Sequence, residues 1–330
     1  RVRVLERDPA AGRDPDWPAA IALETGDERR AALGDATLIV PSPGVPGDHP
    51  LLAAALARGL PVWSEIELAA RFLACPVLAV TGTNGKTTTT TLLGAMLRAG
   101  GQRVFVGGNL GTPLADAALD PAPWEAAVAE VSSFQLEWVA SFQPRVAVLL
   151  NLSPDHQDRY PDPAAYGAAK ANLLAHQQRG DVAVLNRDDP WVWEQRHRTR
   201  ATVLSFGREP VEFGTYLDGD QAVAWRNGQP QRYDLASSPL AGAHNRENLL
   251  AALTAATAWG TPPDAIRTAI RTTAGLPHRL ALVAERRGVR WYDDSKATNV
   301  GAVEKSLDSF PGGIVLLLGG RDKGGDFAAL

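Results

Sequence analysis

The chain has 330 residues, about twice the length of an average domain, so two or three domains are expected. Apolar residues make up 45% and charged residues 21%, a balance that excludes a disordered or collagen-like chain. The net charge is -4, from 33 basic and 37 acidic residues. We therefore expect no nucleic-acid partner, because no overall positive field is present to hold a phosphate backbone.

The single cysteine, Cys75, excludes an internal disulfide. Apolar runs such as residues 314–318 are far shorter than the ~20 residues of a membrane span, so no span is predicted. No signal-peptide pattern is present, and we expect a cytoplasmic protein. The sequence opens at Arg1, directly inside the strand-like residues 2–5, so we expect the natural N-terminus to be missing.

The first elements alternate apolar runs with alanine-rich stretches, which is βα patterning. The runs are residues 2–5, 37–40, 51–57 and 61–63. Residues 41–47 contain three prolines and two glycines, so they form a rigid loop after a strand, where ligands of α/β sheets bind. Residues 65–73 have helical spacing and lead to the next unit. These observations predict an N-terminal domain over residues 1–65.

The second unit opens with residues 77–80, an unbroken apolar run typical of a strand buried on both faces. More strands are predicted at residues 104–106, 126–131, 146–150 and 182–185, and the helical stretches between most of them favour a parallel sheet. The pair Asn227-Gly228 predicts an antiparallel hairpin within residues 222–235. A helix is predicted over residues 248–259, ended by Gly260. The central domain is predicted to cover residues 66–275.

A third βα unit is predicted over residues 276–330. It has strands at residues 289–292 and 314–318. Because the sequence stops at Leu330 with too few residues for a complete sheet, we expect this domain to be truncated.

The segment Gly82-Thr83-Asn84-Gly85-Lys86-Thr87-Thr88 lies between a buried strand and a helix, as a phosphate-binding loop does. Its glycines let backbone N–H groups approach phosphate oxygens, and Lys86 supplies a cation between the outer phosphates. Thr87 can place its hydroxyl on Mg²⁺. The first glycine comes at Gly82 rather than at position 80, so the loop is a shorter variant. A sequence that merely opens a helix is the alternative.

Four other residues can be interpreted from the sequence alone. Glu130, at the end of a strand, is a Mg²⁺ ligand or a solvated carboxylate. His156, in a polar loop, is a metal ligand or a surface histidine. Lys170, among alanines, is interpreted as a solvated helix lysine. Asn245 is interpreted as the cap of the following helix.

The phosphate loop resembles that of the Mur ligases and folylpolyglutamate synthases, which join an amino acid to a carboxylate at the expense of ATP. Six further segments are similar to the group of Mur ligases that adds D-glutamate. They are SPGVP (42–46), GGNLG (107–111), EVSSFQLE (130–137), DHQDRY (155–160), LPHR (276–279) and DSKATN (294–299). Where this family usually has Asp-Thr-Arg, the chain has Glu6-Arg7-Asp8.

The resemblance implies an α/β fold of three domains. They are an incomplete Rossmann-like N-terminal domain, a central P-loop ATPase domain and a truncated Rossmann-like C-terminal domain. It implies a monomeric ligase of peptidoglycan precursor synthesis that forms an amide between UDP-N-acetylmuramoyl-L-alanine and D-glutamate through an acyl phosphate. It also implies ATP, two Mg²⁺ ions and a CO₂-derived carbamate on Lys170.

The resemblance further assigns roles to residues of this sequence. It makes Lys86, Glu130, His156 and Lys170 catalytic, and Thr87, Glu130, His156 and carbamylated Lys170 the metal ligands. It places at ATP residues Gly82, Thr83, Asn84, Gly85, Lys86, Thr87, Thr88, Asn245, Asn248, Arg279 and Asp294. It places at the UDP-sugar Ser42, Gly44, Asn109, Ser132 and His156, and at D-glutamate His278, Lys296, Thr298 and Lys323.

Three other functions remain open at this point. Two are close relatives, another Mur ligase and an amide ligase similar to folylpolyglutamate synthase. The third is a P-loop nucleotide switch, which would hydrolyse nucleotide without an acidic amino-acid substrate.

Overall fold

The computed structural model describes residues 1–26, 33–120, 122–226, 228–240, 242–307, 309–310, 312–320, 327–328 and 330. These residues form two compact units, residues 1–65 and residues 66–330. None of the helices in the described part of the chain is both long and apolar enough to span a membrane.

In its described residues, the first unit contains two parallel strands, β1 (Arg3–Glu6) and β2 (Ala22–Thr25), and one helix, α1 (Pro50–Ala57). Helix α1 begins there because Pro50 has the backbone angle of a first helical residue and the His49 side chain accepts a bond from the Leu51 N–H. The strands predicted at residues 37–40 and 61–63 are reduced to one bridge between Ile39 and Val62. Strand β2 was missed because its acidic end hides the apolar alternation.

The second unit is built on a nine-stranded sheet. In chain order its strands are β3 (Val77–Thr81), β4 (Val104–Gly108), β5 (Ala126–Glu130), β6 (Val146–Leu149), β7 (Val182–Asn186), β8 (Thr202–Gly207), β9 (Gly214–Asp218), β10 (Gln221–Arg226) and β11 (Gln229–Asp234). The spatial order is β11-β10-β9-β8-β7-β6-β3-β5-β4. Strands β3 to β9 are parallel, and β10 and β11 are antiparallel, which confirms the predicted parallel sheet with an attached hairpin.

Helices cover both faces of this sheet. On one face lie α3 (Lys86–Ala99), α8 (Ala243–Trp259) and α9 (Pro263–Thr272), packed through buried side chains that include Leu92, Met96, Leu253 and Ile266. The other face is covered by α2 (Glu65–Ala70), α4 (Leu114–Leu119), α5 (Ser133–Leu136) and α7 (Pro190–Glu194), and α6 (Pro163–Ala171) packs against α5 through Tyr166 and Phe134. The central strands are buried on both sides, as their unbroken apolar runs predict.

The order of the strands creates a crevice at the carboxyl ends of β3 and β6. After β3 the chain crosses to β4 on one side, whereas after β6 it continues to β7 on the other. Such a reversal opens a gap at which ligands of α/β sheets bind. The loops after β3 and β6 meet there, since the Thr83 N–H donates to the Asn151 carbonyl at 3.0 Å.

The last described elements are the antiparallel hairpin β12 (Ala281–Arg286) and β13 (Val289–Asp293), followed by α10 (Val300–Leu307). The strand predicted at residues 289–292 is confirmed as β13. The strand predicted at residues 314–318 is wrong, because those residues pair with no strand in the described part of the chain and a lone strand leaves its backbone groups unbonded. Helix α8 begins at Ala243, five residues before the predicted start.

Candidate active site

The phosphate loop between β3 and α3 closes tightly around two glycines. Gly82 and Gly85 have φ angles of 156° and 84°. A Cβ on Gly82 would lie 2.8 Å from the Cβ of Leu150, and one on Gly85 would lie 2.1 Å from Oδ1 of Asn248. Both positions therefore exclude side chains, and the backbone itself forms the wall of the site.

Helix α3 starts at the rim of this loop. Its cap residue is Gly85, which offers no side-chain oxygen to the first-turn N–H groups. A helix N-terminus of this kind favours a bound anion through its dipole and its N–H donors. Lys86 Nζ folds back onto the loop, donating to the carbonyls of Gly82 (2.9 Å) and Thr83 (2.7 Å). Burial lowers the pKa of Lys86, while the charges of Glu130 and Asp155 oppose that shift.

Glu130 ends β5 beside the phosphate loop, and its side chain is only 3% exposed. Oε1 accepts a bond of 2.7 Å from Nδ2 of Asn109. Oε2 is buried and has no hydrogen-bond partner among the described residues. Burying a carboxylate oxygen without a partner costs free energy, so this atom is suited to a bound cation. The alternative of a solvated carboxylate is wrong.

The donors near Glu130 suit Mg²⁺ rather than a softer metal. Within the described residues no group of three or more His, Cys, Asp or Glu side chains could hold a metal ion. Mg²⁺ is usually bound by one or two protein oxygens, with phosphate oxygens and water completing the shell. Glu130 Oε2 and the hydroxyl of Thr87, in the first turn of α3, fit that pattern.

Lys170 lies in the last turn of α6 and is 1% exposed. Its Nζ donates to the Gly82 carbonyl at 2.8 Å and sits 4.5 Å from the centre of the Tyr166 ring. Burial and the nearby charge of Lys86 hold the pKa of Lys170 well below its ordinary value. The interpretation as a solvated helix lysine is wrong, because α6 turns this face inward. The Tyr166–Lys170 spacing of four residues was the available signal for a shared buried face.

His156 lies in the loop after β6 with a φ of 53° and a side chain that is 32% exposed. Its ring contacts Phe134 edge to face, with 4.8 Å between centroids, and lies 5.9 Å from Tyr166. Asp155 Oδ2 is 3.9 Å from Nε2. This histidine is therefore neither a free surface side chain nor a fully buried one.

A cavity lies between the phosphate loop, the start of α8 and the segment after residue 278. Asn248 Oδ1 accepts a bond of 3.4 Å from Thr89 Oγ1, and Asn248 Nδ2 donates to Asn245 Oδ1 at 3.3 Å. Arg279 Nη2 donates to Thr87 Oγ1 at 3.0 Å. Seven residues assigned to ATP by sequence line it: Asn84, Gly85, Thr88, Asn245, Asn248, Arg279 and Asp294. Asn245 does not cap α8, because Gly242 does.

Several other predicted residues are occupied locally. Ser132 caps α5 in a reciprocal capping box with Gln135. Asp294 accepts bonds from the Leu280 N–H at 3.0 Å and Ser306 Oγ at 2.6 Å. His278 Nδ1 lies 2.6 Å from Asp293 Oδ2.

Four of the remaining predicted residues lie in exposed segments. Lys296 and Thr298 are exposed. Ser42 and Gly44 lie in an exposed turn of the first unit, where the Val45 N–H donates to the Ser42 carbonyl at 2.9 Å. Lys323 lies outside the described residues.

Sequence reasoning assigned no role to three polar residues that organise the site. Asn151 Oδ1 accepts a bond of 2.9 Å from the Asn84 N–H. Asp155 and Asn84 both accept bonds from Asn299. Asn151 and Asp155 follow the β6 strand and Asn299 precedes a helix, so strand-end position and cap position were the signals available.

Comparisons with known proteins agree with this geometry. Residues 80–256 match the family model described as Mur ligase middle domain. The chain is 47% identical over 326 residues to a UDP-N-acetylmuramoylalanine--D-glutamate ligase of Anaeromyxobacter dehalogenans (strain 2CP-C), covering 95% of this chain and 70% of that protein. It is 48% identical over 311 residues to a ligase of the same name from Geobacter metallireducens (strain ATCC 53774 / DSM 7210 / GS-15), covering 93% and 68%.

Solved structures agree on the fold. A pseudomurein peptide ligase type C from Methanothermus fervidus superposes with a TM-score of 0.59 at 19% identity, covering 88% of this chain and 68% of that one. The predicted α/β architecture and the resemblance read from the motifs are both confirmed. The chain belongs to the Mur ligase family.

Proposed function

We propose that this Mur ligase joins D-glutamate to UDP-N-acetylmuramoyl-L-alanine through an amide bond at the expense of ATP, in peptidoglycan precursor synthesis. The relatives of 47% and 48% identity bear the name of that reaction. The observation that carries the proposal is the meeting of Lys86 and Lys170 on the Gly82 carbonyl, beside a buried carboxylate oxygen of Glu130 that has no partner in the described part of the chain.

In the first step a carboxylate oxygen of the UDP-sugar substrate attacks the γ-phosphorus of ATP. The new oxygen–phosphorus bond forms as the bond to ADP breaks, which gives an acyl phosphate and free ADP. Two negative groups approach each other, so cations must offset their repulsion. Lys86, released from the loop carbonyls, supplies one positive charge.

Mg²⁺ would supply further charge neutralisation when bound. We propose that Thr87 and Glu130 hold one ion, and that Glu130, His156 and Lys170 lie nearest a second. The support for this arrangement is the buried Oε2 of Glu130, which has no hydrogen-bond partner among the described residues.

In the second step the neutral amine of D-glutamate attacks the acyl carbon to give a tetrahedral intermediate. Its carbon–oxygen bond to phosphate then breaks, and the proton lost by the nitrogen leaves with the released phosphate. Water would hydrolyse the acyl phosphate, so the site must exclude water. We propose that His278, Lys296, Thr298 and Lys323 hold the two carboxylates of D-glutamate, which call for cations and hydroxyl donors.

The remaining contacts are proposed from the family motifs and from the cavity. Asn248 is proposed to bind adenine, with Asn245 beside it at ATP, Asp294 the ribose and Arg279 the phosphates, with the loop residues 82–88 around them. The UDP-sugar is proposed to contact Ser42, Gly44, Asn109, Ser132 and His156. The proposed domains remain residues 1–65, 66–275 and 276–330, in a cytoplasmic monomer.

We also propose that Lys170 carries a carbamate formed from CO₂. A neutral amine is required, and the burial that lowers the pKa of Lys170 favours the neutral form. The nitrogen would bond to the CO₂ carbon and lose a proton, which replaces a cation with a carboxylate-like ligand.

Lys170→Ala should lower kcat at least about 100-fold, and added acetate or formate should restore part of it by supplying the missing oxygen ligand. Lys305→Ala, which removes another lysine ammonium group from the same unit, should not respond to these carboxylates. Wild-type activity of Lys170→Ala without any response to carboxylates would contradict the carbamate.

The proposed function is tested by a substrate panel on the full-length protein. D-glutamate, L-glutamate, L-alanine and meso-diaminopimelate are each supplied with ATP, Mg²⁺ and UDP-N-acetylmuramoyl-L-alanine while ADP formation is followed. Only D-glutamate should support turnover, and omission of the UDP-sugar should abolish it. A nucleotide switch would instead release phosphate without either substrate.

A further inference from the structure

Asn299 connects three parts of the second unit through one carboxamide. It stands immediately before α10, and its Oδ1 accepts a bond of 2.8 Å from the Ala302 N–H, as the cap of that helix does. Its Nδ2 donates to Asn84 Oδ1 at 3.2 Å and to Asp155 Oδ2 at 3.0 Å. Every polar atom of this side chain is therefore in use.

The capping role alone does not account for an asparagine. Aspartate and serine cap helices about as well, because each offers an oxygen to the first-turn N–H groups. Only asparagine also offers an NH₂ group with two donors. At Asn299 these donors reach the phosphate loop through Asn84 and the loop after β6 through Asp155.

The two loops contacted by Asn299 are the ones that carry the proposed phosphoryl chemistry. Asn84 lies two residues before Lys86, and Asp155 immediately precedes His156. On the other side, Asn299 immediately follows Thr298 and lies three residues after Lys296, which the proposed function places at D-glutamate. One side chain thus joins the place where the acyl phosphate forms to the segment proposed to hold the attacking amine.

We propose that Asn299 is a positioning residue. It holds residues 296–298, the segment proposed to bind D-glutamate, against the phosphate loop and against the loop after β6 that carries His156. This inference rests on the proposed function and adds to it the residue that sets the distance between the two reacting groups. A misplacement of about 1 Å in such a site can cost about 100-fold in rate, so the two hydrogen bonds donated by Asn299 control the rate of turnover.

The test compares Asn299→Ser, Asn299→Asp and Asn299→Ala in the full-length protein. Serine and aspartate keep an oxygen for the α10 cap but lose the NH₂ group that reaches Asn84 and Asp155, and aspartate also adds a negative charge beside Asp155. We expect both variants to unfold within a few degrees of the wild type, while kcat/KM for D-glutamate falls about 10-fold for serine and further for aspartate. KM for ATP should change less, because the phosphate loop keeps its own bonds to Asn151.

A cap without a positioning role gives the opposite pattern. The serine and aspartate variants would then keep the wild-type kcat/KM, and only Asn299→Ala would be impaired, together with its thermal stability. That result would overturn the inference.

Amide hydrogen exchange supplies a readout that does not depend on the reaction. In Asn299→Ser the amides of residues 82–88 and 153–156 should exchange faster than in the wild type, while those of α10 stay protected by the serine cap. Unchanged exchange in both loops would also overturn the inference. If the wild-type protein does not use D-glutamate, the proposed function fails, and this exchange experiment alone decides whether Asn299 fastens the loops.

Discussion

The carboxamide of Asn248 fills the space beside Gly85 in which any other residue would carry a Cβ. The clash distance to Asn248 Oδ1 is 2.1 Å, and the φ of 84° adds backbone strain to any side chain. We expect Gly85→Ala to lower ADP affinity about 10-fold or more, because Asn248 must leave the cavity wall. A tenfold loss of affinity corresponds to about 1.4 kcal/mol of binding free energy. Titration calorimetry with ADP measures this loss.

Gly101 supplies the matched control for Gly85. Its φ of 89° is nearly the same, but a Cβ there would meet nothing within 4 Å. Gly101→Ala should therefore cost about 1 kcal/mol of stability with no loss of ADP affinity. Equal ADP affinities for the two variants would show that Asn248 does not define the nucleotide cavity.

Glu130 combines a buried charge with an oxygen that has no partner within the described residues. We expect Glu130→Gln to lower kcat at least about 100-fold, since it removes a cation ligand from the phosphoryl site. In the absence of Mg²⁺ and nucleotide the same change should alter stability by no more than about 1 kcal/mol, because glutamine keeps the oxygen that accepts from Asn109 and replaces an oxygen that has no hydrogen-bond partner among the described residues. Urea unfolding measures the second effect, and a clear destabilisation would mean that Oε2 of Glu130 is held by another protein group.

Glu67, in helix α2, is a second buried carboxylate, and unlike Glu130 it has hydrogen-bond partners for both of its oxygens. Oε2 accepts bonds from the N–H groups of Ala140, Ser141 and Phe142, and Oε1 accepts from Ser141 Oγ and Arg71 Nε. Burial raises the pKa of Glu67, but the hydrogen bonds from Ser141, Ala140 and Arg71 outweigh it and lower the pKa to about 2. This carboxylate ties α2 to the loop before β6.

The lowered pKa of Glu67 fixes the direction of a pH effect on stability. The carboxylate of Glu67 binds a proton near pH 4.5 in the unfolded chain but only near pH 2 in the folded chain. The stabilisation from Glu67 is therefore complete above pH 4.5 and is lost as the pH falls from 4.5 to about 2. The shift corresponds to about 3 kcal/mol. We expect Glu67→Gln to destabilise the protein at pH 7 and the difference from the wild type to shrink below pH 4.5. A pH-independent difference in urea unfolding would contradict this.

The elements that sequence predicts best are those decided by local pattern. The strand β3 and its glycine-rich loop were predicted because an apolar run and glycine spacing are properties of neighbouring residues. The environment of Lys170 cannot be predicted in this way, because the hydrogen bond from Lys170 to the Gly82 carbonyl joins residues 88 positions apart and depends on how α6 packs. The same holds for the Asn299 contacts with Asn84 and Asp155, which form only when three separate segments meet.

Within the second unit, the segment after residue 278 is held against the phosphate loop, the loop after β6 and helix α8 by polar contacts around the cavity. They are Arg279 with Thr87, Asn299 with Asn84 and Asp155, and Lys305 Nζ with Glu247 Oε2 at 3.0 Å. Hydrogen bonds and a partly exposed ion pair exchange readily with water and each contributes little net stability. This arrangement suits a site that must open for large substrates and close again for chemistry.

The central claim is that the terminal phosphoryl group of ATP passes to the carboxylate of the UDP-sugar substrate. The most direct measurement labels both oxygens of that carboxylate with ¹⁸O and follows the released phosphate by ³¹P NMR. The acyl phosphate retains a labelled bridging oxygen, and attack by the amine breaks the carbon–oxygen bond, so each phosphate should carry one ¹⁸O atom. Phosphate released without ¹⁸O during D-glutamate-dependent turnover would contradict the account.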